Sequence, residues 1–447
     1  MNHIKLRLVA MNFLEFAVWG SYLVSLGLYL SNQGLQDYIY WFYTGQGIVS
    51  LFMPALVGIV ADRWIPAQKM MSLCHFLSGL FMGLAATYCV WAGDGNVAFG
   101  PLFTLYALSI AFFMPTIGLG NSVAFNALNK SGLDTVKHFP PIRVFGTVGF
   151  IAAMWFVNFT NFQVSYMQLF TSAVFSMITA AYVLTLPACP VNRSNGKSLV
   201  DNLGLSSFTL FKNRRMATFF IFSMLLGVAL QITNSYGSTF INSFAGVAEY
   251  ADDWFARNPT FLISLSQVSE TFCILLIPVC LNRFGIKGVM LMSMIAWVLR
   301  FGFFGLGDTG SGIWLLVLSC IVYGVAFDFF NISGGLFVDK STSKNIRSSA
   351  QGLFMLMTNG VGATVGTIIA GECVVNRLVY VAGLTAEQQL AGWRESWFIF
   401  AGYVAVVAVL FLLLFHDNGK GGKPDSKEIG RAEETNSGAD GFIAGEA

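Results

Sequence analysis

Twelve apolar stretches, each long enough to cross a lipid bilayer, recur along this 447-residue sequence and leave it little else to fold into. They run approximately over 8–31, 38–61, 69–92, 99–124, 139–158, 164–187, 216–243, 259–282, 287–307, 311–338, 347–374 and 394–416. A bilayer core needs roughly 20 apolar residues per helix, and without water the backbone polar groups must be satisfied inside the segment itself, which selects helices. Composition agrees: 55% of the residues are hydrophobic and only 11% charged, against about 25% charged in a soluble domain. A soluble enzyme is thereby excluded. The first stretch is interrupted by Asn12 and Glu15 and is not followed by a small-residue cleavage site, so it reads as a retained anchor rather than a signal peptide.

Orientation follows from the basic residues. With the N-terminus inside, the outer loops hold only Arg257, Arg377 and Arg394, two more (Arg143 and Arg300) fall within helices, and the rest of the 25 Lys+Arg lie on the inner side. That asymmetry places both termini in the cytoplasm and predicts a multi-pass membrane protein. The net charge of +2 gives no field for nucleic acid. Seven cysteines without CxxC pairing read as small hydrophobes, and four histidines without ligand spacing predict no metal site. No cofactor and no obligate protein partner is indicated, and no Ser/His/Asp or Cys/His set suggests an enzyme.

A long inner loop, 188–215, separates six stretches from six and carries Arg193, Lys197, Lys212, Arg214 and Arg215. The expected organisation is an all-α integral membrane protein: an N-terminal six-helix half (1–187), a cytoplasmic linker (188–215), a C-terminal six-helix half (216–416) and a disordered cytoplasmic tail (417–447). Such halves form a parallel repeat with the binding site between them. The connection between stretches 2 and 3 reads Gly58-Ile-Val-Ala-Asp62-Arg63, that between 8 and 9 Asn282-Arg283-Phe-Gly285-Ile-Lys287. The first resembles the G-x-x-x-D-R signature of the major facilitator superfamily, in which Gly58 permits close helix approach and Asp62 faces a helix N-terminus, with Arg63 beside it. Ile65 and Pro66 depart from the usual Gly-Arg.

Ionisable groups in hydrocarbon are costly and are functional candidates by default. They are Glu15, Arg143, Glu270, Arg300 and Asp328, with Glu372 near the outer end of stretch 11 read as a headgroup-level charge. At about 1.5 Å per residue, Glu270 is roughly 17 Å and Asp328 roughly 25 Å into their helices, near the middle of the bilayer. Arg143 can snorkel toward the cytoplasm, and Glu15 and Arg300 are equally readable as structural partners of other helices. Helical spacing gathers Arg143, Thr147 and Phe150 on one face, pairs Gln231 with Asn234 and Gln267 with Glu270, and aligns Tyr323, Phe327 and Asn331. Interhelical hydrogen bonding explains any one amide pair. Four polar stripes at overlapping depth, with aromatic faces among them, fit a wet central cavity better. Its chemistry suits a nucleoside, with ribose on amides and carboxylate and a base on the rings, and suits a monosaccharide equally.

The segments Phe139-Pro-Pro-Ile-Arg143-Val-Phe-Gly-Thr147-Val-Gly-Phe150, Leu230-Gln231-Ile-Thr-Asn234, Ser266-Gln267-Val-Ser-Glu270, Tyr323-Gly-Val-Ala-Phe327-Asp328-Phe-Phe-Asn331 and Ala350-Gln351-Gly352 closely resemble the nucleoside:proton symporters, the family of enterobacterial nucleoside permeases. The resemblance implies proton-driven uptake of purine and pyrimidine nucleosides by alternating access. It also implies that Arg143, Thr147 and Phe150 surround the base, that Gln231, Asn234, Gln267, Glu270 and Tyr323 surround the ribose, and that Phe327 lines the pocket. Burial favours a neutral carboxyl and a nearby cation favours the anion, so Asp328 and Glu270 are the proton-coupling candidates, Asp328 first because Glu270 holds ribose. The alternatives are a proton-coupled sugar permease and a non-transporting nucleoside-binding membrane receptor.

Overall fold

The structure, a computed structural model, describes residues 3–190, 205–342 and 347–415. Half of the expected 188–215 linker (191–204) and all of the 417–447 tail lie outside the described residues, as do the side chains of Asp62 and Arg63. The described residues form twelve membrane-crossing helical segments: α1 (His3–Gly20 continued by Leu26–Asn32), α2 (Ile39–Arg63), α3 (Ala67–Ala92), α4 (Phe99–Lys130), α5 (Thr135–Phe159), α6 (Met167–Val183), α7 (Arg214–Leu230 continued by Ile232–Ser243), α8 (Pro259–Cys273, running on to Gly285), α9 (the part of Ile277–Leu306 beyond Gly285), α10 (Ile313–Ser341), α11 (Arg347–Leu378 in several pieces) and α12 (Ala386–Leu414). Eight unbroken helical runs are long and apolar enough on their own, one of them spanning Pro259–Leu306. That run is two crossings, because Gly285 at φ 67°, ψ 177° reverses the chain within it. Only glycine adopts this conformation without penalty.

Local departures from straight helix fall where helices must come close. α1 loses its helical pattern over 21–25 and α7 breaks at Gln231. α11 widens to π-helix over Leu356–Gly362 and again over Ile369–Val375. α5 starts at Thr135 rather than near 139, so Pro140 and Pro141 lie inside it.

Helix pairings repeat between the halves. α1 packs on α5 as α7 packs on α11, α2 on α4 as α8 on α10, α3 on α4 as α9 on α10, and α3 on α6 as α9 on α12. The first pairing depends on glycine in both halves. A Cβ at Gly149 would lie 2.1 Å from the Phe13 carbonyl oxygen, and one at Gly20 2.3 Å from that of Phe150. Across α7–α11, a Cβ at Gly227 would lie 2.2 Å from the Thr358 carbonyl oxygen and one at Gly362 2.3 Å from that of Met224. Gly362 and Gly366 of α11, the latter against Val228, therefore form a packing seam.

The halves meet chiefly at the end remote from the termini. There the second piece of α1 lies on that of α7, with Gly27 against the Ser235 carbonyl, and α2 lies on α11, with Gly47 against Thr364. Tyr40 Oη donates to Glu372 Oε2 at 2.7 Å, Trp155 Nε1 to Ser264 Oγ at 2.8 Å and Asn158 Nδ2 to Asn258 Oδ1 at 2.7 Å, while Asn158 Oδ1 accepts from the Phe261 amide at 3.1 Å. Glu372, read from sequence as a headgroup-level charge, thus contributes to a seal. At the termini end, bonds such as Lys5 Nζ to His138 Nδ1 (3.1 Å) and Lys287 Nζ to the Leu412 carbonyl (3.0 Å) stay within one half. Gly58 belongs to this open end: a Cβ there would meet nothing within 4 Å. No close helix approach is made at Gly58 among the described residues in this conformation.

Gly362→Leu places a side chain into the α7 backbone, where neither partner can yield. Overpacking of this kind costs about 3 kcal/mol or more, so the variant should yield little monodisperse protein in detergent, or protein whose melting temperature is lowered by several degrees.

Candidate functional site

The residues singled out from sequence lie on α5, α7, α8 and α10, the helices that border the seam between the halves. Arg143 and Thr147 are half-buried on α5. The Arg143 guanidinium lies over the Phe16 ring of α1, 3.9 Å from its centroid, and is in electrostatic contact with Glu270 of the other half and with Glu15 of its own. Phe150, one turn further on the same face, is buried and turned onto α1, with its ring edge-to-face on Trp19 at 6.2 Å. It walls the N-terminal half at this depth and is not in the ring stack of α10.

On the other side, Tyr323 and Phe327 stack at 5.6 Å with 13° between planes. The Tyr323 hydroxyl is within reach of Gln267, so α8 and α10 bring an amide and a phenol together. Glu270 and Asp328 interact electrostatically. Asp328 is 5% exposed, and its Oδ2 has no hydrogen-bond partner among the described residues. Buried polar atoms are normally satisfied, so an orphaned carboxylate oxygen here marks a place where a proton or a rearrangement completes the site. At the break of α7, Asn234 Nδ2 donates to Gln231 Oε1 at 2.9 Å. Asn331 Nδ2 donates to the Phe327 carbonyl at 3.0 Å. A recess between α7, α9, α10 and α11 is lined by Leu230, Trp297, Phe327, Phe330, Asn331 and Thr358; of the nine expected binding residues it holds Phe327 alone.

Two buried charges act on this set from behind. Arg300, 1% exposed, has no carboxylate partner among the described residues. Its Nε donates to Thr233 Oγ1 (3.3 Å) and its Nη1 to Ser266 Oγ (3.2 Å) and the Ser319 carbonyl (2.9 Å), while the guanidinium lies 4.3 Å from the Tyr323 ring centroid. Cation–π contact of this kind is worth about 2 kcal/mol when desolvated, and it props Tyr323 from the side opposite Phe327. In the N-terminal half, Glu15 Oε2 lies 2.7 Å from His75 Nε2, both buried. Sequence reasoning weighed Glu15 and Arg300 alone and gave His75 no role, since its partners are on α1 and α6 and no spacing along α3 reveals them.

The chain matches the family described as Nucleoside H+ symporter over residues 1–420. It is 45% identical to the xanthosine permease of Escherichia coli K12 over 419 residues, covering 93% of this chain and 96% of that protein. It is 44% identical to the nucleoside permease NupG of the same organism, covering 92% and 96%. The crystal structure of the nucleoside transporter NupG superposes with a TM-score of 0.83 at 43% identity, covering 94% of this chain and all of that one. The POT family transporter PepTSo shares the fold at 14% identity and a TM-score of 0.65, covering 93% of this chain and 98% of that one. This chain is a multi-pass membrane transporter, not an enzyme, and belongs to the nucleoside H+ symporter family.

Proposed function

We propose that the chain imports nucleosides across the bacterial inner membrane, with the proton as coupling ion and no cofactor, by alternating access of the two halves 1–187 and 216–416 about the seam. The observation that carries this reading is the charge set across that seam: one cation, Arg143, in electrostatic contact with Glu270, and Glu270 in turn with Asp328. Both carboxylates ionised leave one excess negative charge. The occluded state between the two openings must strip water from that charge, which is costly in low dielectric. One proton on Asp328 makes the set neutral and leaves Glu270 ionised for Arg143 and the ribose. Occlusion is then linked to protonation, as symport requires, because a ligand shifts a conformational equilibrium only through its differential affinity for the two states.

Substrate contact is assigned by chemistry. The Tyr323–Phe327 stack offers a flat face to a base, and Arg143 and Thr147 offer donors and an acceptor to its edge. Gln231, Asn234, Gln267 and Glu270 suit ribose hydroxyls. With both termini cytoplasmic, the open end of the seam faces inward and the Tyr40–Glu372 and Asn158–Asn258 contacts form the outer seal. The printed descriptions of the relatives, a xanthosine permease and a nucleoside permease, favour nucleosides over monosaccharides. Counterflow in vesicles would exclude a non-transporting receptor, and excess glucose or xylose should leave labelled uridine uptake unchanged.

Asp328→Asn keeps shape and removes the titratable group. It should abolish gradient-driven accumulation of uridine in energised vesicles while sparing counterflow; intact accumulation would remove Asp328 from coupling. Gln267→Ala should weaken uridine binding about tenfold, the equivalent of about 1.4 kcal/mol for a lost buried hydrogen bond, without loss of membrane insertion, as read by calorimetry on the purified protein.

A further inference from the structure

The Glu15–His75 pair is buried within the N-terminal half and takes no part in the transport scheme above. Glu15 Oε1 accepts from Thr116 Oγ1 of α4 at 2.6 Å, and Oε2 faces His75 Nε2 of α3 at 2.7 Å. On the far side of the imidazole, Ser176 Oγ of α6 lies 3.2 Å from Nδ1 and donates its own proton to the His75 carbonyl at 2.9 Å. Because the Ser176 proton is committed, its oxygen must accept from an Nδ1–H. The second ring nitrogen and Oε2 then meet at a distance that requires one proton between them, since two lone pairs would repel. Glu15 and His75 together therefore hold one shared proton and are neutral as a pair. Thr116 donates to Glu15 Oε1 and Arg143 lies within electrostatic range of Glu15, the surroundings of a carboxylate, so Glu15 is the negative end of the pair.

That end points at the substrate-site cation. Phe16, the residue after Glu15, lies under the Arg143 guanidinium, and a Cβ on Gly146 would meet Arg143 Nη1 at 2.7 Å and Phe16 Cδ2 at 2.8 Å. The Arg143 side chain is thus folded down onto α1. The titratable groups that face Glu15 are His75 and Cys74 from α3 and Arg143 from α5; α4 and α6 contribute the hydroxyls of Thr116 and Ser176. Those that face Glu270 are Arg143, Asp328 and Tyr323.

We propose that the Glu15–His75 ion pair is a positioning element for Arg143, holding part of its charge on α1 and so setting how strongly it acts on Glu270 across the seam. This rests on the proton-coupled reading of the transporter. Glu15→Gln keeps hydrogen bonds to Thr116 and to a neutral His75 but removes the anion. Arg143 then acts undivided on the Glu270–Asp328 pair, ionisation of both carboxyls is favoured, and a more acidic medium is needed to place the one proton on Asp328. His75→Gln does the reverse: Glu15 keeps its charge without the imidazolium and draws Arg143 away from Glu270.

The test is the pH dependence of labelled uridine uptake in vesicles containing the full-length protein. The midpoint should move to lower pH in Glu15→Gln by about half a unit or more, and to higher pH in His75→Gln. Thr116→Val removes a hydrogen bond but no charge; it should lower the melting temperature and leave the midpoint in place. Opposite displacements are not produced by general loss of packing. Midpoints of both variants coinciding with that of the unaltered protein, or moving in the same direction, overturn the proposal. Uptake by the unaltered protein that ignores pH would instead overturn the symport reading itself.

Discussion

A charge inside hydrocarbon must find its partner within the protein, and the way this chain meets that demand organises everything else. Three buried charge sets exist among the described residues. The Glu15–His75 pair is closed on itself by Thr116 and Ser176, and ties α1, α3, α4 and α6 into one unit. Arg300 is closed by hydroxyls, a carbonyl and aromatic faces from α7, α8 and α10. Each of these lies within one half. The third, Arg143 with Glu270 and Asp328, has its cation in one half and its carboxylates in the other, and one oxygen remains unpaired. Removing one partner from a closed buried set costs several kcal/mol, so the first two make rigid bodies. The open one is the set whose energy changes when the bodies move.

The two closed sets also share a plan. His75 lies on the third helix of its half and Arg300 on the third helix of the other, and each reaches a residue on the first helix of its own half, Glu15 or Thr233. Each then lies behind a side chain proposed to meet substrate, Arg143 in one case and Tyr323 in the other. The repeat seen in helix pairing extends in this way to the polar interior, although the residues differ.

Much of the architecture was legible in the sequence, because crossing a bilayer imposes length and apolarity on each segment separately. The depth of Glu270 and Asp328 and the stacking of Tyr323 on Phe327 are properties of single helices and follow from the 3.6-residue period. What was not legible depends on the meeting of different helices. Nothing along α3 distinguishes His75 from a histidine without a partner, and nothing along α5 shows that Phe150 turns onto Trp19 rather than toward α10. Gly58 carried a motif, yet the conformation of the chain decides whether any helix approaches it. The breaks at 21–25 and Gln231 likewise exist so that Gly20 and Gly227 can meet another backbone, and neither break has a proline to announce it.

The outer seal differs in kind from the charge set it protects. It is made of Trp155–Ser264, Asn158–Asn258, the Asn158–Phe261 amide bond and Tyr40–Glu372, so most of its bonds join neutral groups. Each neutral bond contributes about 1 kcal/mol net, and a handful together amount to a few kcal/mol. Reversing a two-state equilibrium from 1:99 to 99:1 takes about 5.5 kcal/mol. A seal of this strength is firm enough to close one side of the membrane and weak enough for a nucleoside and a proton, binding together, to shift the balance. A seal built of several buried ion pairs would change the balance in jumps of several kcal/mol for each pair lost, and small neutral ligands could not trade against it. Neutral hydrogen bonds at the gate and charge at the coupling site are therefore complementary requirements of the same cycle.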